Sequence, residues 1–306
     1  MGIAGYPILR GVAEFYASRA EQASDGTYHI SHVEGSDEGQ GDVSDSAWVN
    51  AVAAFALRAA TSYAVAAGVG RAPTNWSVIA DGLIASIPFD LVGNKHFPYA
   101  NFSAHPDGGL DVLLLLYPLS LEMDVAVKKN DLDFYSANFL GPSGMVSGLL
   151  SILYKDFGQL DRAATFFADA HSANVNGPYL VWSEGAANQG CPNFITASGL
   201  FLQAVWAGYG GLRIREQGLE LNYPSTLPNS TALVLHNVAF RGGRLRVGIN
   251  LTHVSVTLLA NGAGSKALIV RSQDSGDHEL RLNVPFVAHS NQMFLVVASN
   301  SSGPVQ

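Results

Sequence analysis

The segment FITASGLFLQAVWAGYGGLRIR, residues 194–215, contains the change of pattern that decides the fold. Over 194–208 the apolar residues recur with the period of a helix. Leu212-Arg213-Ile214-Arg215 instead alternates apolar with charged, the period of a half-buried strand. The chain is therefore expected to be helical before residue 212 and stranded after it.

Working back, Tyr6 to Ser24 reads as a helix, with Ile8, Val12, Phe15 and Arg19 at helical spacing. Ser44-Asp45 is expected to cap the next helix, which runs from Ala47 to Ala67. That run carries Trp48, Val52, Phe55 and Ala59 on one face and Val49, Ala53, Ala56, Ala60 and Tyr63 on another, so burial on two sides is expected. Further helices are expected at 74–86, 124–138, 145–157 and 159–172, punctuated by Gly141-Pro142-Ser143-Gly144 and Gly177-Pro178.

Working forward, Ala232 to Val238 and Leu245 to Ile249 alternate like strands. Val254 to Leu259 and Ala267 to Val270 flank Asn261-Gly262-Ala263-Gly264, which reads as a hairpin turn. Leu280-Arg281-Leu282 and Met293 to Val297 complete an antiparallel set of short strands. The layout is a helical region over 1–211 and an antiparallel, sandwich-like β domain over 212–306.

Composition bounds the function classes. The 306 residues are 48% hydrophobic and 14% charged, against roughly 25% charged in ordinary soluble domains, which excludes disorder, collagen and coiled coil as the main architecture. A net charge of −8 argues against nucleic acid or an anionic membrane surface as partner. Cys191 is the single cysteine, so it has no internal disulfide partner and cannot alone hold zinc. Val112 to Tyr117 is an uninterrupted apolar stretch, far short of the ~20 residues of a membrane span.

The first residues, Met1 to Tyr6, show no basic region ahead of an apolar core, so no signal peptide is visible in the chain. Asn75, Asn101, Asn229, Asn250 and Asn300 each stand in an N-x-S/T sequon. The sequons point toward a secretory or lysosomal route and a glycoprotein, although a Ser-rich chain also produces such triplets by chance; a cytoplasmic location stays open.

Motifs with a fixed chemistry are mostly missing: there is no HExxH, CxxC, GxSxG or GxGxxG. Gly262-Ala263-Gly264-Ser265-Lys266 lacks Walker spacing and leads into a strand, so it reads as a turn. His29 and His32 have no third ligand nearby and read as packing or substrate-facing side chains. Two acids stand out by context. Glu38 lies in the Gly-rich loop after Tyr28-His29-Ile30-Ser31-His32, and Glu184 follows Tyr179-Leu180-Val181-Trp182-Ser183. Most loop glutamates are simply solvated, but aromatic neighbours suit a sugar site: apolar surroundings raise a carboxyl toward the range of a general acid.

At these residues the chain resembles glycoside hydrolase family 65. Tyr28 to Asn50 is similar to the family segment Y-H-I-x-G-V-x-x-P-D-E-Y and the V-N-N-S-x-Y-T-N that follows it. Tyr6 to Phe15, Asp111 to Pro118, Val181-Trp182-Ser183-Glu184, and Asn193-Phe194-Ile195-Thr196 through Val205 match later in the same order, so the resemblance covers about residues 3–215. The pattern is similar to that of acid trehalase-like proteins and of glucosidases that trim glucosylgalactosyl-hydroxylysine, and the Val-Trp-x-Glu and Asn-Phe-Ile-Thr segments favour the latter.

The resemblance implies an (α/α)6 six-hairpin barrel, of which residues 1–211 would be the C-terminal part, followed by a small antiparallel β domain. It implies inverting cleavage of an α-glucosidic bond in a carbohydrate or glycosylated-protein substrate, with no metal and no organic cofactor. Glu38 would be the general acid and Glu184 the general base, with Asp37, Tyr179 and Trp182 contacting substrate. Inversion would set the carboxyls roughly 6.5–9.5 Å apart to admit a water. The phosphorylases of the family lack a base there, so Glu184 favours hydrolysis. Two departures stand against the pattern: Ser36 and Gly39 replace the proline and tyrosine around the acid, and Gly109-Leu110 replace a Lys-Gln pair. The barrel implied is incomplete, so helix faces are expected to be exposed and the chain alone to release little glucose. A non-catalytic carbohydrate-binding or interaction protein is the alternative. A terpene cyclase-like helical barrel is disfavoured because no DDxxD-type cluster occurs.

Overall fold

The computed structural model describes residues 2–36, 41–103, 108–141, 143–172, 174–185 and 189–299. They form two compact units that divide after Gly141.

The first unit is built on three helices, α1 (Gly2–Arg19), α2 (Ala47–Ala66) and α3 (Asn75–Ala85). Alanine, the best helix former, fills α2. The N-cap of α2 is Ser46, whose hydroxyl accepts from the Val49 N–H; the expected Ser44-Asp45 cap lies just outside, with Asp45 at φ 51. The core joins Ala13, Ile30, Ala53, Leu57, Ala60, Trp76, Ile79 and Leu83. The two-sided burial expected for α2 is corrected. Its small-residue face is buried, while Phe55 remains 60% exposed. In α1, Ala13 points inward with Leu9 and Tyr16 packed beside it, leaving Ile8 70% and Phe15 58% exposed. Small side chains on the inner faces let helix axes approach closely, so the alanine faces, not the bulky ones, make the contact. By length and composition α2 could cross a membrane, but its alanine face forms part of this core.

Two short antiparallel pairs flank the helices: β1 (Glu21–Gln22) with β2 (Tyr28–His29), and β3 (Phe89–Asp90) with β4 (Lys95–His96). A buried 3₁₀ segment, Leu110–Leu115, precedes α4 (Val125–Ala137), which Asp124 caps through the Ala126 N–H. Asp131 on α4 is buried and accepts both the backbone N–H and Nδ1 of His96, at 2.7 and 2.8 Å. Tyr135 donates its hydroxyl to the His96 carbonyl at 2.7 Å, completing the tie between α4 and β4.

The second unit begins with α5 (Gly144–Asp156), capped by Ser143, and α6 (Leu160–Ser172). A small hairpin follows, β5 (Val175–Asn176) with β6 (Val181–Trp182). After it comes α7 (Ile195–Gln203), which runs on as a π-helical turn, Ala204–Tyr209. Beyond it the described elements are strands: β7 (Leu212–Ile214), β8 (Leu219–Leu221), β9 (Ala232–Phe240), β10 (Gly243–Asn250), β11 (His253–Asn261), β12 (Leu268–Ser272), β13 (Gly276–Glu279), β14 (Pro285–His289) and β15 (Phe294–Ala298). They make a four-stranded antiparallel sheet, β14-β11-β10-β9, and a five-stranded one, β13-β12-β15-β8-β7. Leu245, Val247 and Ile249 alternate inward on β10, as do Val254, Val256 and Leu258 on β11, and every residue of β15 is buried.

Two strand expectations are corrected. The Asn261 to Gly264 turn is not a hairpin: β11 and β12 belong to different sheets, and the turn carries the chain across the core. Leu280 to Leu282 forms no strand apart from a single parallel bridge between Leu258 and Leu282. Strands β8, β13 and β14 lie outside the expected set. Gly276-Asp277-His278-Glu279 is exposed throughout and carries no apolar alternation to read.

A buried ionic clamp joins the helices of this unit to its strands. Arg213 on β7 is 5% exposed, forks onto both Asp156 oxygens at 3.1 and 3.0 Å, and donates to the Ala207 carbonyl. Beside it, the buried Lys155 donates to the Tyr223 carbonyl at 2.6 Å, and burial pushes its ammonium below the usual lysine range.

Candidate active site

Glu184 stands where the β5–β6 hairpin runs into a Gly-containing loop. Asn174, buried just ahead of β5, organises this corner. Its side-chain amide donates to the Glu184 carbonyl at 2.9 Å and to the Ser183 carbonyl at 3.4 Å, and its backbone carbonyl accepts the Ser183 N–H at 2.8 Å. Ser183 is buried, accepts from Asn176 at 3.0 Å and donates to the Gly185 carbonyl at 2.7 Å. The backbone on either side of Glu184 is thereby pinned, while its side chain is exposed.

The carboxylate is also held. Glu184 Oε2 accepts the Cys191 N–H at 2.8 Å, and the Glu184 N–H returns to the Cys191 carbonyl at 3.0 Å. Gly190, at φ +70, makes room: a Cβ there would lie 2.7 Å from Glu184 Oε2. The arrangement leaves Oε1 without a protein donor among the described residues.

Trp182 and Tyr179 are placed differently from each other. The Trp182 indole donates to the Ala170 carbonyl at 2.9 Å, and its ring lies 5.3 Å from Phe201. It belongs to an aromatic group with Phe167 and His171 and is half-buried, which supports the hairpin from beneath. Tyr179, at the hairpin tip, is 86% exposed.

In the first unit, Asp37 and Glu38 lie outside the described residues. The neck of their loop is described. Val33 and Val43 exchange backbone hydrogen bonds at 3.1 and 2.9 Å, and Asp45 N–H donates to the Ile30 carbonyl at 2.9 Å. Arg19 donates to the Ser31 carbonyl at 2.6 Å. His29 bridges Thr27 and Asp45, with Nε2 2.8 Å from the Thr27 hydroxyl and Nδ1 2.9 Å from Asp45 Oδ2. Asn50 on α2 donates to the other Asp45 oxygen at 3.3 Å. His32 pairs with Asp42 at 3.0 Å and is exposed. Both histidines therefore hold carboxylates at the neck. Tyr28 packs against α3 where Gly82 allows it; a Cβ there would lie 2.6 Å from the Tyr28 ring.

Asn174, Cys191 and Asp45 are the residues that motif reading missed. An isolated asparagine and a backbone N–H carry no spacing signal, and Asp45 beside Ser44 imitates a helix cap.

The chain is 35% identical over 230 residues to a kojibiose hydrolase of Flavobacterium johnsoniae, covering 74% of this chain and 33% of that protein. It is 34% identical over 263 residues to the protein-glucosylgalactosylhydroxylysine glucosidase of Danio rerio, covering 83% of this chain and 38% of the relative. The chain belongs to glycoside hydrolase family 65. A solved structure described as a putative kojibiose phosphorylase from human microbiome superposes on 93% of the chain and 43% of its own length, with a TM-score of 0.64 at 14% identity, a likeness of fold. No family model matches. This family 65 chain spans between 33% and 38% of the length of those two curated relatives.

Proposed function

We propose that the chain is part of a hydrolase that cleaves an α-glucosidic bond with inversion, acting on a glucoside like that of glucosylgalactosyl-hydroxylysine or on a free disaccharide. Glu184 is the general base and Glu38 the general acid; Asp37, Tyr179 and Trp182 contribute to the substrate surface. The observation that carries the reading is the restraint on Glu184: its backbone is tied to the buried Asn174 and its Oε2 to the Cys191 N–H, while the side chain faces solvent. A general base needs an oxygen within hydrogen-bond reach of the water it deprotonates, and Glu184 keeps Oε1 for that water. Hydrolytic relatives at 35% and 34% identity support the bond class.

We further propose that residues 1–211 are the later part of an (α/α)6 barrel and 212–306 its β domain. The exposed Ile8, Val12 and Phe15 row on α1 supports a barrel completed by further helices. The functional test follows glucose release from kojibiose and from glucosylgalactosyl-hydroxylysine by proton NMR in the full polypeptide. The expected first product is β-glucose, and Glu184→Gln should slow release by about 10²–10⁴-fold. α-Glucose as the first product, or an unimpaired Glu184→Gln variant, would overturn the assignment.

A further inference from the structure

The β domain carries a hollow that the hydrolase reading does not use. It is a cavity of about 600 Å³ beside β13 and β14, which are edge strands of the two sheets. Its walls include Asp277, His278, Glu279, Arg281, Pro285 and Phe286, none of which belongs to the Glu184 corner.

The floor is built from the core outward. Phe294 is buried on β15; the Phe286 ring meets it edge-on at 6.2 Å; the His278 imidazole lies 4.9 Å from Phe286. The edge-on contact with a buried ring holds Phe286, and a hydrogen bond holds the imidazole, whose Nε2 lies 2.9 Å from the Ser275 carbonyl. One wall is neutralised by the Arg271–Asp277 pair at 3.3 Å. The two remaining charges, Glu279 and Arg281, are exposed and make no side-chain hydrogen bond or ion pair among the described residues.

This chemistry selects a ligand. Opposite charges in balance give no preference for an anion or a cation. An apolar aromatic and prolyl surface beside one free carboxylate and one free guanidinium suits a neutral ring with an apolar face and several hydroxyls: the carboxylate accepts from hydroxyls and the guanidinium donates to them. We propose that this hollow is a non-catalytic saccharide-binding site for one or two sugar rings.

The test is binding without turnover, read at backbone amides 275–287 in NMR spectra of the full chain titrated with D-glucose and with kojibiose. Saturable shifts in the millimolar range are expected, the affinity of a small, open site. Arg281→Ala and Glu279→Gln, both on the surface, should each weaken binding about tenfold with unchanged Tm. Phe286→Leu, which keeps the core filled, should weaken it as well. Glu184→Gln should leave these shifts intact, so failure here and failure of the hydrolase reading are separate results. No shifts at 275–287 up to roughly ten times a millimolar Kd, shifts that persist in Arg281→Ala and Glu279→Gln, or equal shifts with inorganic phosphate would each overturn the proposal.

Discussion

Replacing Gly190 by alanine separates the placement of Glu184 from the stability of the fold. Gly190 and Gly158 share φ +70, but their surroundings differ. A Cβ at 158 meets nothing within 4 Å, whereas one at 190 would lie 2.7 Å from Glu184 Oε2 and 2.9 Å from Glu184 Cβ. Both substitutions force a side chain into the left-handed region at about 1–2 kcal/mol. Tm should therefore fall by roughly 2–4 °C per kcal/mol in each variant, the response of units of this size. The carboxyl end of Glu184 can swing aside, but its Cβ cannot without moving the pinned backbone, so only Gly190→Ala should break the bond to the Cys191 N–H. A hydrogen bond to a charged group contributes about 1.5–3 kcal/mol, and the exposure of Glu184 favours the low end. If hydrolysis uses this placement, kcat/KM should fall about tenfold in Gly190→Ala and stay near wild type in Gly158→Ala. Calorimetry, glucose release and the Cys191 amide proton, expected to move upfield in Gly190→Ala alone, give three readings. Full activity with a displaced Cys191 amide would refute the reasoning, as would an equal loss in Gly158→Ala.

Arg213→Ala should destabilise the second unit by an amount near the lower end of the roughly 3–5 kcal/mol seen when a buried pair is broken, since Asp156 is 25% exposed; urea unfolding measures it. Lys155 has a folded-state pKa below its ordinary 10.5, so the unfolded chain binds more protons between the two values and stability should rise with pH across that window. Lys155→Met should remove that rise, seen as a flatter Tm profile up to pH 10.5. Glu38→Gln should abolish hydrolysis of poor leaving groups and spare activated aryl glucosides, because only the former need protonation; equal loss on both would remove the acid role.

Much of the architecture is local and therefore legible. The helices expected at 124–138 and 145–157 form close to those bounds, and the structure shows Asp124 and Ser143 capping them. The alternation of Leu245-Arg246-Val247-Gly248-Ile249 states which side of β10 is buried without any knowledge of its neighbours. The aromatic neighbours in Tyr179-Leu180-Val181-Trp182-Ser183 mark Glu184 as a candidate in the sequence. Tertiary structure decided what depends on distant partners. Periodicity identified apolar faces on α1 and α2, but contact put Ala13 and Leu57 inside and left Phe15 and Phe55 out, because burial follows the approach of other helices. The turn at Gly262 has hairpin composition, yet it joins two sheets, since sheet membership is set by whichever strands pair. The hold on Glu184 comes from the buried Asn174 ten residues before it and a backbone N–H seven residues after it, groups whose roles exist only once the loop is folded.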